Sequence, residues 1–173
     1  KSDFPTYMAP DGENFRGLNA IRLLNDSRKH SIDDLIQLGH EPTLEGFKIL
    51  IPGLTTAYKK FESPTASLDS VINLLKDWDF KSSEESIATT VAVEWAQRLN
   101  NAIQRVYIGQ GEADQVASAE NFVSTASANQ FLEPLMTTIE NLNKRYGTWK
   151  IKWGDINRFQ RINNEIIPNH DDS

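Results

Sequence analysis

Hydrophobic residues recur at helical spacing along most of the chain. The first such face has apolar side chains at every third position: Phe15, Leu18, Ile21 and Leu24. This spacing predicts a helix with one apolar side. We expect Asp11 to cap its N-terminus, because an aspartate oxygen accepts from the free N–H groups there. Asn25-Asp26 should end it.

Two more helices follow. Ser31 and Asp34 have the spacing of a capping box, which predicts a short helix through Leu38 with Gly39 as its C-cap. A third helix should start at Pro42-Thr43, and its apolar face comprises Leu44, Phe47, Leu50, Ile51, Leu54 and Tyr58. Since proline has no N–H, we expect this helix to kink or break at Pro52-Gly53.

The second half of the chain continues the helical pattern. A fourth helix is predicted from Ser63-Pro64-Thr65 to Trp78, and the strongest pattern runs from Ser83 to Val106, where Gly109-Gln110-Gly111 follows. Residues 114–147 predict one or two helices, interrupted near 124–128. Their apolar stripe comprises Phe131, Leu132, Leu135, Met136, Ile139 and Leu142.

Only residues 148–153 alternate like a strand. The predicted fold class is therefore mainly α, a multi-helix assembly with one short extended segment near the C-terminus. We expect residues 1–173 to form a single helical domain, with an entry loop at 1–10 and a loose polar tail at 163–173.

Composition excludes several classes of function. The 173 residues carry a net charge of −6, which argues against a nucleic-acid binder that neutralises phosphates. The absence of cysteine excludes disulfides, thiolate metal sites and cysteine nucleophiles. No stretch approaches 18 uninterrupted apolar residues, so we expect no membrane span.

No self-contained active site is visible, and we assign no catalytic residue and no metal ligand to this chain. His30, His40 and His170 lack metal-ligand spacing. The glycine pair at 109–111 lacks the third glycine of a dinucleotide loop. Asp77 and Asp79 are interpreted as solvated carboxylates at a helix end. No serine lies in a nucleophile elbow.

Arg16 is the one side chain singled out for a site. Residues 4–24 run from a proline-punctuated stretch into the first helix, and Arg16 lies in its first turn. The planar guanidinium can hold a carboxylate or a polarised carbonyl in fixed geometry. The alternative is a surface ion pair with Asp11 or Glu13, which would contribute less than about 1 kcal/mol.

Two blocks of sequence carry a resemblance to a known family. The first combines Phe4-Pro5, the helix at residues 14–24 and the segment 31–35; the second spans residues 149–161, with Ile51-Pro52 and Leu74-Leu75 through Asp79 between them. In this order they resemble the penicillin acylase family of N-terminal nucleophile hydrolases, which includes acyl-homoserine-lactone and aculeacin acylases. The resemblance extends over nearly the whole chain.

The resemblance implies that the chain is an internal helical fragment of the large subunit of an α+β hydrolase. The family's nucleophile is an N-terminal serine; Ser2 is neither terminal nor followed by the family's serine–asparagine start, so nucleophile and oxyanion asparagine should lie outside this chain. Arg16 matches a family arginine that helps fix substrate and the oxyanion environment. The family often binds calcium through an aspartate soon after the Phe-Pro pair, but Asp11 comes too late, so we assign no cofactor.

Two hypotheses follow. In the first, the fragment contributes one wall of the active site of an amidohydrolase that cleaves N-acylated small molecules. It would be inactive alone and would pack against the small subunit and the β-sheet core. The family resemblance also implies a periplasmic or extracellular location. The second hypothesis is a non-catalytic, all-helical protein-interaction module.

Overall fold

The computed structural model describes residues 11–25, 29–62, 65–107 and 111–158, which form eight helices and one two-stranded sheet. Mainly helical architecture is thereby confirmed. In chain order the elements are α1 (Phe15–Leu24), α2 (Ile32–Gly39), α3 (Gly46–Tyr58), α4 (Ala66–Lys76), α5 (Ile87–Leu99), β1 (Val106–Tyr107), β2 (Ala113–Asp114), α6 (Gln115–Thr125), α7 (Ala128–Tyr146) and α8 (Trp153–Ile156).

The hydrophobic core lies between α3 and the helices around it. Helix α3 packs against α4, α6 and α7, while α5 packs against α4, α7 and α8. Burying one large apolar side chain contributes about 1.5–3 kcal/mol. The fully buried side chains include Leu54, Val71, Leu75, Trp95, Leu99, Leu132 and Leu135. Trp95 also satisfies its polar atom there, because its Nε1 donates to the carbonyl oxygen of Phe131 at 3.1 Å.

Capping side chains start most of these helices. The predicted capping box of Ser31 and Asp34 is confirmed, and a second one joins Ser127 to Gln130 at the start of α7. That second box explains the interruption predicted near residues 124–128. Helix α7 ends at Tyr146 and has Gly147 as its C-cap, whose φ of 77° is a left-handed conformation that glycine adopts without strain.

Several predicted helix ends were wrong. Asn14, not Asp11, caps α1, and α2 ends with Gly39, so that His40 rather than Gly39 is its C-cap. Helix α3 begins at Gly46 and runs through Pro52 as one helix. Pro52 lies on an exposed side of the helix. Because proline has no N–H, the carbonyl four residues earlier loses its helical partner, and water can hydrate that carbonyl here.

The extended segments were also placed wrongly. Helix α5 stops at Leu99, and Val106 belongs to β1, which pairs antiparallel with β2. Residues 148–152 form no strand, and Trp153 begins α8. Instead of joining a sheet, the N–H groups of Trp153 and Gly154 donate to the carbonyls of Ser86 and Glu84 at 3.2 and 2.8 Å. The predicted entry loop at 1–10 and tail at 163–173 lie outside the described residues.

Candidate functional site

Arg16 is the second residue of α1, and its side chain is exposed. The helix begins directly before it, because the side chain of Asn14 accepts from the N–H of Gly17 at 2.8 Å. Among the residues that the structure describes, Arg16 forms no ion pair.

The segment that leads into α1 is held by residues about a hundred positions later in the chain. The N–H of Glu13 donates to Oδ2 of Asp114 at 2.8 Å, and the carbonyl of Glu13 accepts from the N–H of Gln115 at 2.7 Å. Gly12 is pressed against this partner: a Cβ there would lie 2.4 Å from the Cα of Asp114. These contacts fix the direction in which α1 starts.

Asp114 connects the two segments. Its side chain is buried, with 3% relative exposure, and its Oδ1 caps α6 by accepting from the N–H of Ala117 at 2.7 Å. Its other oxygen accepts from Glu13. Asp114 is thus a structural support of the segment before Arg16.

The C-terminal end of α1 is held by charge. Arg22 donates from Nε to Oε1 of Glu45 at 2.5 Å and from its terminal nitrogen to Oε2 of Glu41 at 3.1 Å. Glu45 is buried, with 6% relative exposure, and also accepts from Nζ of Lys48 at 2.9 Å. Two cations therefore compensate the buried carboxylate, which would otherwise be costly.

The environment of Glu41 favours its charged form. Burial raises the pKa of its carboxyl, but the hydrogen bonds from Thr43 and Asn19, together with the charge of Arg22, outweigh burial and leave the pKa below its ordinary value. Glu41 therefore stays ionised as a partner of Arg22. Both ends of α1 are thus fixed to the rest of the fold by polar contacts.

An apolar cavity of about 830 Å³ opens beside the start of α1. Phe15, the residue before Arg16, contributes to its wall, and the ring of Phe15 lies over Gly46 at the start of α3. The remaining walls come from α3, α5, α6 and the two-stranded sheet. Because Phe15 belongs to α1, the cavity lies next to the helix that carries Arg16.

The other candidates from the sequence are not brought together. His40 follows α2 as its C-cap, and Asp77 has the same position after α4. Asp79 accepts from the N–H of Lys81 at 3.0 Å, a local turn contact. His30 is half-buried, while His170 and residues 109–110 lie outside the described residues.

Within the described ranges, no three His, Asp or Glu side chains are grouped so that they could hold a metal ion. Asp11, the aspartate weighed for calcium, accepts from the N–H of Glu112 at 3.1 Å. No helix in the same ranges is long and apolar enough to cross a membrane.

Sequence reasoning missed the roles of Asp114 and Arg22. Asp114 was visible only as the start of a helical stretch, and its second partner, Glu13, is 101 residues away. Arg22 lies in the last turn of α1, where a solvated cation is ordinary. Its carboxylate partners belong to another part of the chain, which periodicity does not identify.

A comparison with models of protein families finds a match over nearly the whole chain. The family model described as Penicillin amidase matches residues 2–170. No curated protein matches the chain.

Proposed function

The chain belongs to the penicillin amidase family, and we propose that it forms a helical part of a hydrolase that cleaves the amide bond of an N-acylated small molecule. The observation that supports a role for this part is the placement of Arg16. Its guanidinium is exposed and without an ion pair among the described residues, on a helix held at both ends. A positioned cation of this kind stabilises negative charge as it develops on a carbonyl oxygen.

In this proposal the chemistry follows the nucleophilic route of the family. An N-terminal serine, supplied elsewhere in the protein, attacks the amide carbonyl; the C–N bond breaks, and the amine leaves with the serine proton. Water then hydrolyses the acyl-enzyme that remains and releases the carboxylic acid. Arg16 contacts the substrate carboxylate or the oxyanion environment and takes no part in proton transfer. The fixed geometry of α1 keeps the guanidinium in place, so little ordering is needed when substrate binds.

Replacing Arg16 tests this role. In the intact protein, Arg16→Ala should lower kcat/KM for amide hydrolysis about 10- to 100-fold, the cost of losing one charge-assisted hydrogen bond. Thermal stability should not change, because the side chain makes no ion pair among the described residues. The measurement is release of a chromogenic amine from a panel of N-acyl anilides, paired with a thermal melt.

The matched control is Arg145→Ala. Arg145 is another exposed arginine, stacked on Tyr146 near the end of α7 with its guanidinium carbon 5.0 Å from the ring centroid. It should retain the activity of the parent protein. Equal activity of the two variants would mean that Arg16 has no role in the site. If the intact protein cleaves no amide in the panel, the proposed hydrolase activity is contradicted.

A second observation concerns partners. Helices α1 and α2 contain no buried residue, and their exposed apolar side chains are Ile21, Leu24, Ile32, Leu35 and Ile36. We propose that this face packs against the remainder of the hydrolase, including its small subunit and β-sheet core. A non-catalytic interaction module would use the same face for a different partner. The amidase assay separates these two functions.

A further inference from the structure

Helix α1 contacts the rest of the fold along a face that combines one apolar and two polar side chains. These are Phe15, Asn19 and Arg22, whose spacing of four and then three residues places them on one side of the helix. Ile21 and Leu24, which belong to the apolar face that the sequence predicts, are exposed instead. The helix contains no buried residue, so its orientation depends on a small number of contacts.

Two contacts on this face reach consecutive residues at the start of α3. A Cβ at Gly46 would lie 3.0 Å from the ring of Phe15. Two turns later in α1, Nε of Arg22 donates to Oε1 of Glu45 at 2.5 Å. Because these contacts lie on the same side of α1 and near its opposite ends, together they oppose rotation of the helix about its own axis.

The carboxylates that accept from Arg22 are themselves held in place. Glu45 is buried and also accepts from Nζ of Lys48 at 2.9 Å. Glu41 accepts from a terminal nitrogen of Arg22 at 3.1 Å and from the N–H of Thr43, also at 3.1 Å. A planar guanidinium between two fixed carboxylates has a defined orientation, whereas an ammonium group has no such fork.

Rotation of α1 would displace Arg16 directly. Arg16 follows Phe15, so its side chain leaves the helix about 100° around the axis from the face that contacts α3. For a group about 6 Å from the axis, a rotation of about 20° is a displacement of about 2 Å. A misplacement of about 1 Å can lower the rate of an enzyme reaction about 100-fold. The orientation of α1 therefore matters to a reaction at Arg16.

From these contacts we propose that Arg22 is a positioning residue for the reaction at Arg16. By bridging Glu41 and Glu45, Arg22 sets the rotation of α1 about its axis, and this rotation directs the guanidinium of Arg16. The inference rests on the amide hydrolysis proposed above, in which Arg16 contacts the substrate carboxylate or the oxyanion environment. Arg22 acts through Arg16 and makes no contact with the substrate.

A double-mutant cycle on amide hydrolysis by the intact protein tests this role. Arg22→Gln should lower kcat/KM about 5- to 50-fold, and by no more than Arg16→Ala does, because it acts through Arg16. In the Arg16→Ala background the same substitution should change kcat/KM less than about twofold. A residue that only stabilised the fold would cause similar losses in both backgrounds. Arg22→Lys retains a cation for Glu45 and should fall between Arg22→Gln and the parent protein.

The matched control is Lys48→Gln. Lys48 is the second cation that pairs with Glu45, but it belongs to α3 and not to α1. This variant removes a charge from the same buried carboxylate and leaves the contact with Arg22 in place. It should retain kcat/KM within about twofold of the parent protein. Equal losses in Lys48→Gln and Arg22→Gln would overturn the proposal, because charge balance at Glu45 would then control the activity.

A second measurement follows position 16 without reference to activity. This chain has no cysteine, so Arg16→Cys and Glu140→Cys on α7 provide its two label sites, once any cysteine elsewhere in the protein is replaced by serine. Pulsed electron paramagnetic resonance between nitroxide labels at these sites gives a distribution of distances. Arg22→Gln should widen this distribution, because α1 then adopts several orientations. Lys48→Gln should leave it unchanged.

Three further results would overturn the proposal: an unchanged distance distribution in Arg22→Gln, unchanged kcat/KM in that variant, or equal losses with and without Arg16. If Arg22→Gln does not fold by circular dichroism, Arg22→Lys provides the same comparisons. Failure of the proposed function has a different signature, because Arg16→Ala would then leave the activity at the level of the parent protein. The role of Arg22 in the reaction would be overturned with it.

Discussion

At the scale of single residues, one hydrogen bond joins the end of α3 to the first turn of α4. The hydroxyl of Tyr58 donates to Oδ1 of Asp69. This hydrogen bond raises the pKa of Tyr58 to about 12, with smaller contributions from burial and from the charge of Asp69. The neutral phenol is therefore favoured in the folded state, because ionisation would place two negative charges side by side.

The Tyr58–Asp69 contact predicts a specific loss of stability in alkali. The unfolded chain loses the phenolic proton near about pH 10, whereas the folded chain retains it until about pH 12. The contribution of this contact is thus complete below about pH 10 and is lost as the pH rises toward about 12. Ultraviolet absorbance should show one tyrosine that ionises later than the others, and Tyr58→Phe should remove that late step.

Asp69→Ala removes the acceptor of this hydrogen bond together with its negative charge. Neither then opposes phenolate formation, so the late step should move back toward about pH 10. Tyr146→Phe is the control, because this exposed tyrosine should leave the late step in place. A wild-type titration in which all tyrosines ionise together near about pH 10 would contradict the expected contact.

At the scale of elements, local signals in the sequence identified helices better than their ends. The capping box at Ser31 and the apolar stripe of α7 were sufficient to predict their helices, because each is a local pattern in neighbouring residues. The end of α5 could not be predicted in this way, since apolar spacing continues to Ile103 while the chain has already turned toward β1. A two-residue strand depends on its partner strand, which periodicity does not show.

The candidate site, too, has one part that the sequence predicts and another that it does not. The position of Arg16 in the first turn of a helix followed from local spacing, and the structure has it there. Its supports did not follow, because Glu13 meets Asp114 across 101 residues and Arg22 meets Glu45 across 23. Contacts between distant segments are set by the packing of whole helices.

Close packing of α3 against α6 and α7 depends on Gly53. A Cβ at this position would lie 3.0 Å from Val123 and 3.1 Å from the ring of Phe131. Gly53→Leu should therefore destabilise the fold by about 1–3 kcal/mol, although leucine favours helix more than glycine does. Urea unfolding followed by circular dichroism measures this change.

Gly39→Leu is the matched control within a helix. No atom lies within 4 Å of a Cβ at Gly39, so the substitution should be neutral or stabilising by up to about 1 kcal/mol. If both variants have the same unfolding midpoint, the α3–α6–α7 contact is looser than described. Destabilisation by Gly39→Leu alone would indicate that α2 is covered on that side.

At the scale of the whole molecule, the described chain has two regions held by different forces. Helices α3 to α7 share a buried apolar core, whereas α1 and α2 contain no buried residue. Helix α1 is joined to the core mainly by the contacts of Glu13, Phe15 and Arg22. Regions with few buried apolar contacts open at lower free energy than the core does. The helix that carries Arg16 should therefore be able to open without global unfolding.

Asp114→Asn tests this separation. An amide retains one acceptor oxygen for the two N–H groups that the carboxylate serves, so either Glu13 or Ala117 loses its partner. An unsatisfied backbone donor costs about 1–3 kcal/mol, which corresponds to about 5- to 150-fold faster hydrogen exchange where opening is local. We expect this acceleration in α1 and the first turn of α6, with α3 and α7 unchanged.

Hydrogen exchange followed by mass spectrometry resolves these segments, and Asp77→Asn is the control, because that exposed aspartate lies after α4, away from α1. Equal acceleration in every helix would mean that α1 opens only when the core does, since a shared transition lowers protection everywhere. Selective acceleration would show that the position of Arg16 depends on the buried carboxylate of Asp114, which holds Glu13 from 101 residues away, rather than on the core itself. In that case Asp114 acts on any reaction at Arg16 through position alone.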